Sequence, residues 1–310
     1  MCLLVLPATT HESGSITNNC YINFQEHIFY FKRKGYLMKQ VVFQNKKIFY
    51  RTAGSGNPVM LLHGFAEDHR IWDYQVENLK NDFLVILPDI PGSGASEMLR
   101  GNISIADYAE VIKSIADAEG ITSGKKSFTL IGHSMGGYIT LAFAEKYPDL
   151  LNGFGLFHSS AFADDEIKIA ARKKGIDFIK TKGAEWFLRT TIPNLFAEKT
   201  KLEKPDLIEK LITLSKNIPP EALVQYYEAM MQRPDRITVP KSFPKPVLYI
   251  VGKLDNAVPL NLSLKQCHFS PIFQINILQN SGHVGMWEEK DLSIQCINSF
   301  LAKTINYCND

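Results

Sequence analysis

The stretch IGHSMGG, Ile131 to Gly137, sets a serine between two glycines, each two positions away. The apolar residues just before it, in SFTLIGH, read as a buried strand. MGGYITLAFAEKY, directly after the serine, reads as a helix. A serine at such a junction must take up a strained backbone to stand clear of the sheet. Its neighbours two positions away must be small, because strand and helix nearly collide there; Gly132 and Gly136 satisfy this. The start of the new helix also aims free N–H groups at any negative charge that develops beside the serine. Ser134 is therefore the candidate nucleophile.

Outward from this corner the chain alternates. PVMLLHG, FLVILPD, LNGFGLFHSS, KPVLYIVG and IFQINIL read as strands. RIWDYQVENLK, SIADYAEVIKSIADAEG and DLSIQCINSFLAKTI read as helices. Continuous apolar strands separated by amphipathic helices imply an α/β fold: a mostly parallel central sheet with helices on both faces. MKQVVFQNKKIFYRTAGSG, from Met38, reads as two short strands with a turn at Asn45-Lys46. Residues 1–37 show neither the period of a helix nor the alternation of a strand. They read as a mobile N-terminal extension, either an ordinary arm or an over-read upstream of a start at Met38.

Between residues 163 and 240 the alternation gives way to polar, helical sequence broken at TIPNLF, EKPD and NIPPEA. Leu223, Tyr226, Tyr227, Met230 and Met231 share one helical face. An all-helical insertion between two strands of a parallel sheet lies over the edge where such sheets bind ligands. Residues 163–240 are thus read as a helical cap, and residues 38–162 with 241–310 as the core. The cap's aromatic and Met residues, Trp186, Phe187, Phe196, Tyr226, Tyr227 and Met230, either line an apolar pocket or pack the cap. His158, ending the strand before the cap, is a further pocket candidate.

A serine hydroxyl needs a base. His283, in the glycine-flanked loop NSGHVGMWEE after the last strand, is the histidine placed to reach back over the sheet. The base needs an orienting carboxylate. Asp255 follows the strand YIVG on the same edge, with Asp164 or Asp165 as the alternative. Backbone N–H groups of Met135 and of Phe65, in His63-Gly64-Phe65, are the expected oxyanion donors. His63 is expected to fix its loop rather than to react.

The bulk composition narrows the function. The chain has 310 residues, 45% hydrophobic and 21% charged, with a net charge of +2. Scattered basic residues give no nucleic-acid footprint, and no apolar stretch approaches the roughly 18 residues of a membrane span. Five cysteines, Cys2, Cys20, Cys267, Cys296 and Cys308, show no metal spacing and fit free thiols in a reducing, cytoplasmic compartment.

LLHGF, DIPGSGAS, GHSMGG, VGKLD and GHVGMWE, in this order, resemble the α/β-hydrolase superfamily in its capped branch of esterase- and lipase-like enzymes. The resemblance implies a Ser134–Asp255–His283 triad cleaving a small carboxylic ester through an acyl-enzyme, with no metal and no cofactor. Thioesterases, carbon–carbon bond hydrolases and perhydrolases use similar triads, and a small-molecule receptor on the same fold is the alternative outside enzymes.

Overall fold

The computed structural model describes residues 20–23, 28–33, 36–124 and 126–309. Ten strands form one sheet: β1 (Cys20–Asn23), β2 (Ile28–Arg33), β3 (Tyr36–Phe43), β4 (Lys46–Ala53), β5 (Asn57–Leu62), β6 (Phe83–Pro88), β7 (Phe128–His133), β8 (Leu151–Phe157), β9 (Val247–Gly252) and β10 (Phe273–Leu278). Their order across the sheet is β1-β2-β3-β4-β6-β5-β7-β8-β9-β10. From β6 to β10 all neighbours run parallel, and β1 to β4 add an antiparallel edge. Every residue of β7 and β9 is buried, which accounts for the lack of a polar alternation along them.

The direction of strand addition reverses at β5. The chain steps from β5 to β6 on one side, then back across β5 to β7 on the other. With right-handed crossovers, opposite steps put the connecting helices on opposite faces. The crevice at the reversal opens where β5 and β7 end, the usual ligand position in such sheets. Capping defines the helix Ile105–Ala118: Ser104 and Asp107 each bond the other's backbone N–H. The helix Met135–Lys146 is buried from Met135 to Ala144, so its sequence is apolar nearly all round.

The connection between β8 and β9 is helical from Glu166 to Ser242, as expected of the cap. It is tied to the loops at the sheet's C-terminal edge. Tyr226 donates its hydroxyl to Pro91 O at 2.8 Å, Gln225 donates to Leu99 O at 3.1 Å, and Ser215 donates to Ala66 O.

The N-terminal expectation needs correction. β3 begins at Tyr36, and β1 and β2 lie inside residues 1–37 as an antiparallel continuation of the sheet. IFYFKR hides its strand character because apolar residues fill both phases of the alternation. The expected mobility otherwise falls on residues outside the described ones. The β3–β4 turn lies at Gln44-Asn45, one residue earlier than read, and both residues have positive φ, 48° and 60°. That is the two-residue turn whose twist suits a hairpin.

β2 meets β3 at two register pairs, Lys32 with Leu37 and Arg33 with Tyr36. Tyr36 also bonds Glu77 and lies under the Arg51 guanidinium, 4.2 Å from its ring centre. From Met38 onward β3 keeps its pairing with β4. We expect a chain beginning at Met38 to fold and keep full activity. Loss of the exposed Tyr36 contacts, worth about 0.5–1 kcal/mol, should lower Tm by no more than about 4 °C. Calorimetry of the two chains checks this.

Candidate active site

Ser134 joins β7 to the helix Met135–Lys146 with φ 50° and ψ −116°, outside the regions open to L-residues at low energy. Two glycines make the corner possible. A Cβ on Gly132 would stand 2.1 Å from Gly136 O, and one on Gly136 would stand 2.6 Å from His63 O. Ser134 N–H donates to Phe157 O at 3.0 Å, and Ser134 O accepts from Ser159 Oγ at 2.7 Å. Ser134 is partly exposed, and its Oγ makes no hydrogen bond to a described residue.

Among the described residues, positive φ at a non-glycine occurs in the β3–β4 turn and at Ala66, Ser134 and His158. The last three stand at the ends of β5, β7 and β8. Each such residue costs of order 1–3 kcal/mol, and their gathering at one place marks a functional site.

Asp255 and His283 come together as expected. His283 Nδ1 lies 2.8 Å from Asp255 Oδ2, and both residues are buried. Asp255 Oδ1 accepts from the N–H groups of Ala257 and Val258 at 2.8 and 2.9 Å. Burial alone would raise the Asp255 carboxyl. The His283 charge and hydrogen bonds from His158 and His283 instead hold it far below the usual carboxylate range. For His283 burial works downward, and the Asp255 charge and hydrogen bond outweigh it, so the imidazole is raised above its ordinary 6.5. The alternative acids are elsewhere: Asp164 pairs with Arg172 at 2.6 Å and Arg233 at 2.9 Å, and Asp165 caps the helix Glu166–Lys182.

Met135 N–H opens its helix, and Phe65 N–H lies in the loop after β5. Neither meets an acceptor among the described residues. That loop is pinned from behind. Glu67 Oε2 accepts from Gly64 N–H at 2.7 Å and lies 2.9 Å from His133 Nδ1. His63 Nε2 accepts from Ile90 N–H at 2.9 Å and lies 2.8 Å from Ser93 Oγ, so His63 joins two loops. The buried Asp89 of DIPGSGAS accepts from His69 N–H at 3.1 Å and Ala95 N–H at 3.1 Å, bracing the neighbouring loop.

The pocket expectations fare unevenly. Trp186 is 66% exposed, on the outer side of the short helix Ala184–Thr191, whose Phe187 and Leu188 are buried. His158 is fully buried beside the acid, not facing a pocket. Its Nδ1 lies 3.1 Å from both Asp255 Oδ2 and Gly252 N, and its Nε2 has no partner. Burial pulls this imidazole down to about 4, so it is neutral. The same Nδ1 thus faces the Gly252 N–H, which donates to it, and the Asp255 carboxylate. Tyr226 and Met230 are buried between cap and core. Beside the oxyanion loop, Phe65 stacks on Tyr227 at 4.4 Å and meets Phe187 and Tyr226 edge-on at 6.2 and 6.3 Å.

Sequence reading missed Glu67 and Glu288. Glu288 Oε2 accepts from Ala197 N–H at 2.9 Å and Thr200 Oγ1 at 2.7 Å in the cap. Its Oε1 accepts from Gly282 N–H at 2.9 Å beside His283. His283 N–H itself donates to Leu195 O at 2.6 Å. An acidic residue near a motif histidine was the only available signal. Among the described residues two trios could each bring three donor atoms to a metal, His158–Asp255–His283 and Asp68–His69–Asp89. In both, side chains already pair with one another, through His283–Asp255 and His69–Asp89.

Residues 57–290 match the family model of the alpha/beta hydrolase fold, and the chain belongs to that family. It is 28% identical over 279 residues to a 2-hydroxy-6-oxo-6-phenylhexa-2,4-dienoate hydrolase of Burkholderia cepacia, covering 83% of this chain and 92% of that one. Among solved structures, a thermophilic esterase from Thermogutta terrifontis superposes with a TM-score of 0.80 at 29% identity, covering 86% of this chain and 99% of the other. An enol-lactonase from Burkholderia xenovorans shares the fold, with a TM-score of 0.78 at 19% identity over 85% of this chain and 99% of its own.

The corner leaves no room for a side chain at Gly132, where a Cβ would meet backbone rather than a movable group. Gly132→Ala should therefore destabilise the protein by about 3 kcal/mol or more, seen as a lower urea midpoint with an unchanged slope.

Proposed function

We propose that the chain is a serine hydrolase that cleaves small carboxylic esters through an acyl-enzyme. The observation that carries this is the hydrogen-bonded Asp255–His283 pair on the same sheet edge as the strained Ser134. Ser134 Oγ attacks the ester carbonyl and gives its proton to His283 Nε2. The Oγ–Nε2 contact tightens as substrate binds, a contact often long in free enzymes. Asp255 orients the ring and stabilises its charged form. The N–H groups of Phe65 and Met135 receive the oxyanion. The alcohol leaves with the proton from His283, and water then repeats the sequence to release the acid. No step needs a metal or cofactor.

Two comparisons support an acyl-transfer reading from different sides: one similar protein is named an esterase, and another is named a hydrolase of a phenylhexadienoate. The second favours a rival substrate, a ketone whose carbon–carbon bond is cleaved. The aromatic wall of Phe65, Phe187 and Tyr227 suits an apolar acyl or aryl group in either case. Turnover of a p-nitrophenyl ester series beside a vinylogous 1,5-diketo acid separates them, and no turnover of either class would support a receptor instead. Among the described residues no helix is long and apolar enough to cross a membrane. The unpaired Cys267 and Cys296 fit the cytoplasmic placement proposed with this reading.

Ser134→Ala should abolish turnover and fluorophosphonate labelling without changing Tm. Labelling that survives moves the nucleophile elsewhere. Asp255→Asn should lower kcat on the order of 10²–10⁴-fold, whereas Asp164→Asn, away from His283, should not.

Only neutral His283 can accept the proton, and its pKa is raised above 6.5. kcat/KM should therefore climb with pH through a single limb above 6.5 and level off beyond it. A limb below that value would mean that the Asp255 contact is not felt by the base.

A further inference from the structure

His133 flanks the nucleophile, and the mechanism above gives it no part. Its ring is fully buried, packed edge-on against Trp72 and Phe157 at 6.4 and 6.1 Å between ring centres. Nδ1 lies 2.9 Å from Glu67 Oε2, and Nε2 lies 2.9 Å from the backbone carbonyl of His283. A carbonyl oxygen only accepts, so Nε2 must carry a hydrogen. A neutral imidazole would then have a bare Nδ1, facing an oxygen that already accepts Gly64 N–H at 2.7 Å. A second hydrogen must therefore lie between Nδ1 and Oε2.

We propose that Glu67 and His133 form a second carboxylate–imidazole pair, with the ring protonated on both nitrogens, that clamps the oxyanion loop to the loop of the catalytic base. One end of the clamp is Glu67, which fixes Gly64 N–H and so the direction of Phe65 N–H. The other end is His133 Nε2, which fixes the main chain of His283. The body of the clamp is part of the nucleophile corner itself, because His133 immediately precedes Ser134. The three groups that must meet in the transition state are thus held to one rigid unit by three hydrogen bonds that never touch substrate.

Glu67 is the ionised partner. Burial pushes its carboxyl up, but the charge and hydrogen bond of His133 and the Gly64 N–H bond outweigh this and hold it below the usual range. The charged and titratable groups facing the pair include His63, on the loop that Glu67 holds. The His283 ring lies 4.9 Å from His133 and the His158 ring 6.1 Å, with Asp255 behind both. As a whole the pair is electrically neutral. It adds no net charge beside His283 and acts on it through position. His133 and Glu67 are accordingly positioning residues rather than catalytic ones.

The inference rests on the serine-hydrolase reading for its consequence, but not for its central observation. ¹⁵N-histidine NMR of the full chain at neutral pH reads the ring hydrogens directly. His133 should show two protonated nitrogens. In Glu67→Gln a single amide atom must replace the oxygen that faces both Gly64 N–H and His133 Nδ1, so one bond of the clamp is lost whichever way the amide turns, and the ring should revert to a single hydrogen. kcat in that variant should fall about 10- to 100-fold with KM little changed, and fluorophosphonate labelling of Ser134 should slow in parallel. His133→Phe, which loses both bonds, should fall further. A singly protonated His133 in the wild-type chain, or Glu67→Gln with undiminished kcat, overturns the proposal. A wild-type chain that turns over no ester would sink the esterase reading, and the wild-type NMR spectrum would still decide the pair.

Discussion

The main chain closes more tightly around Ser134 than side chains would allow, and the rest of the site is arranged about that closeness. Gly132 and Gly136 face each other with no space for a methyl group, and Gly136 also backs onto the carbonyl of His63 at the end of β5. The same contacts therefore do two things. They force the serine into its left-handed conformation, and they bring the end of β5 against the start of the next helix. The loop after β5 and Ser134 are neighbours because of one glycine-dependent close approach of main chain to main chain.

Around this corner the buried charges come in pairs. Asp255 with His283 and Glu67 with His133 each set a carboxylate against an imidazole in a place closed to water. Unpaired, each of these groups would carry a heavy desolvation penalty. Paired, each fixes a ring orientation. His158 adds a neutral ring to the same Asp255 oxygen. The base is thus held by its carboxylate, by its own main chain, and by the helix-flanking loop behind it.

The cap belongs to this arrangement. Leu195 O receives the His283 N–H, and Glu288 bonds both the cap at Ala197 and Thr200 and the base loop at Gly282. A displacement of this cap segment would reach the His283 imidazole through its backbone. Tyr226 anchors the other side of the cap to the loop after β6. These ties explain why Tyr226 and Met230, which share a helical face with pocket-like character, are buried as packing.

The sequence by itself determined the parts that depend on local sterics and period. A strand, a serine between spaced glycines, and an apolar helix can be joined in few ways, so the corner and the parallel sheet were legible, while the grouping of Ser134 with Asp255 and His283 came from the resemblance to the superfamily. What followed from the approach of distant segments was not. Trp186 looked like a pocket residue because it is one of the cap's aromatics, but residue type does not say which side of its helix is covered, and Trp186 is 66% exposed. His158 looked like a wall residue, yet the space left by Gly252 and Gly285 lets its ring settle beside Asp255. β2 escaped notice because both phases of IFYFKR carry apolar residues, so the alternation that marks a strand is missing. Glu67 and Glu288 gave no motif, since what gives them a role is the set of N–H groups that only the folded chain assembles around them. Local geometry can be read from neighbours in sequence; the partners of a buried charge are chosen by tertiary structure, because residues far apart in the chain must desolvate it together.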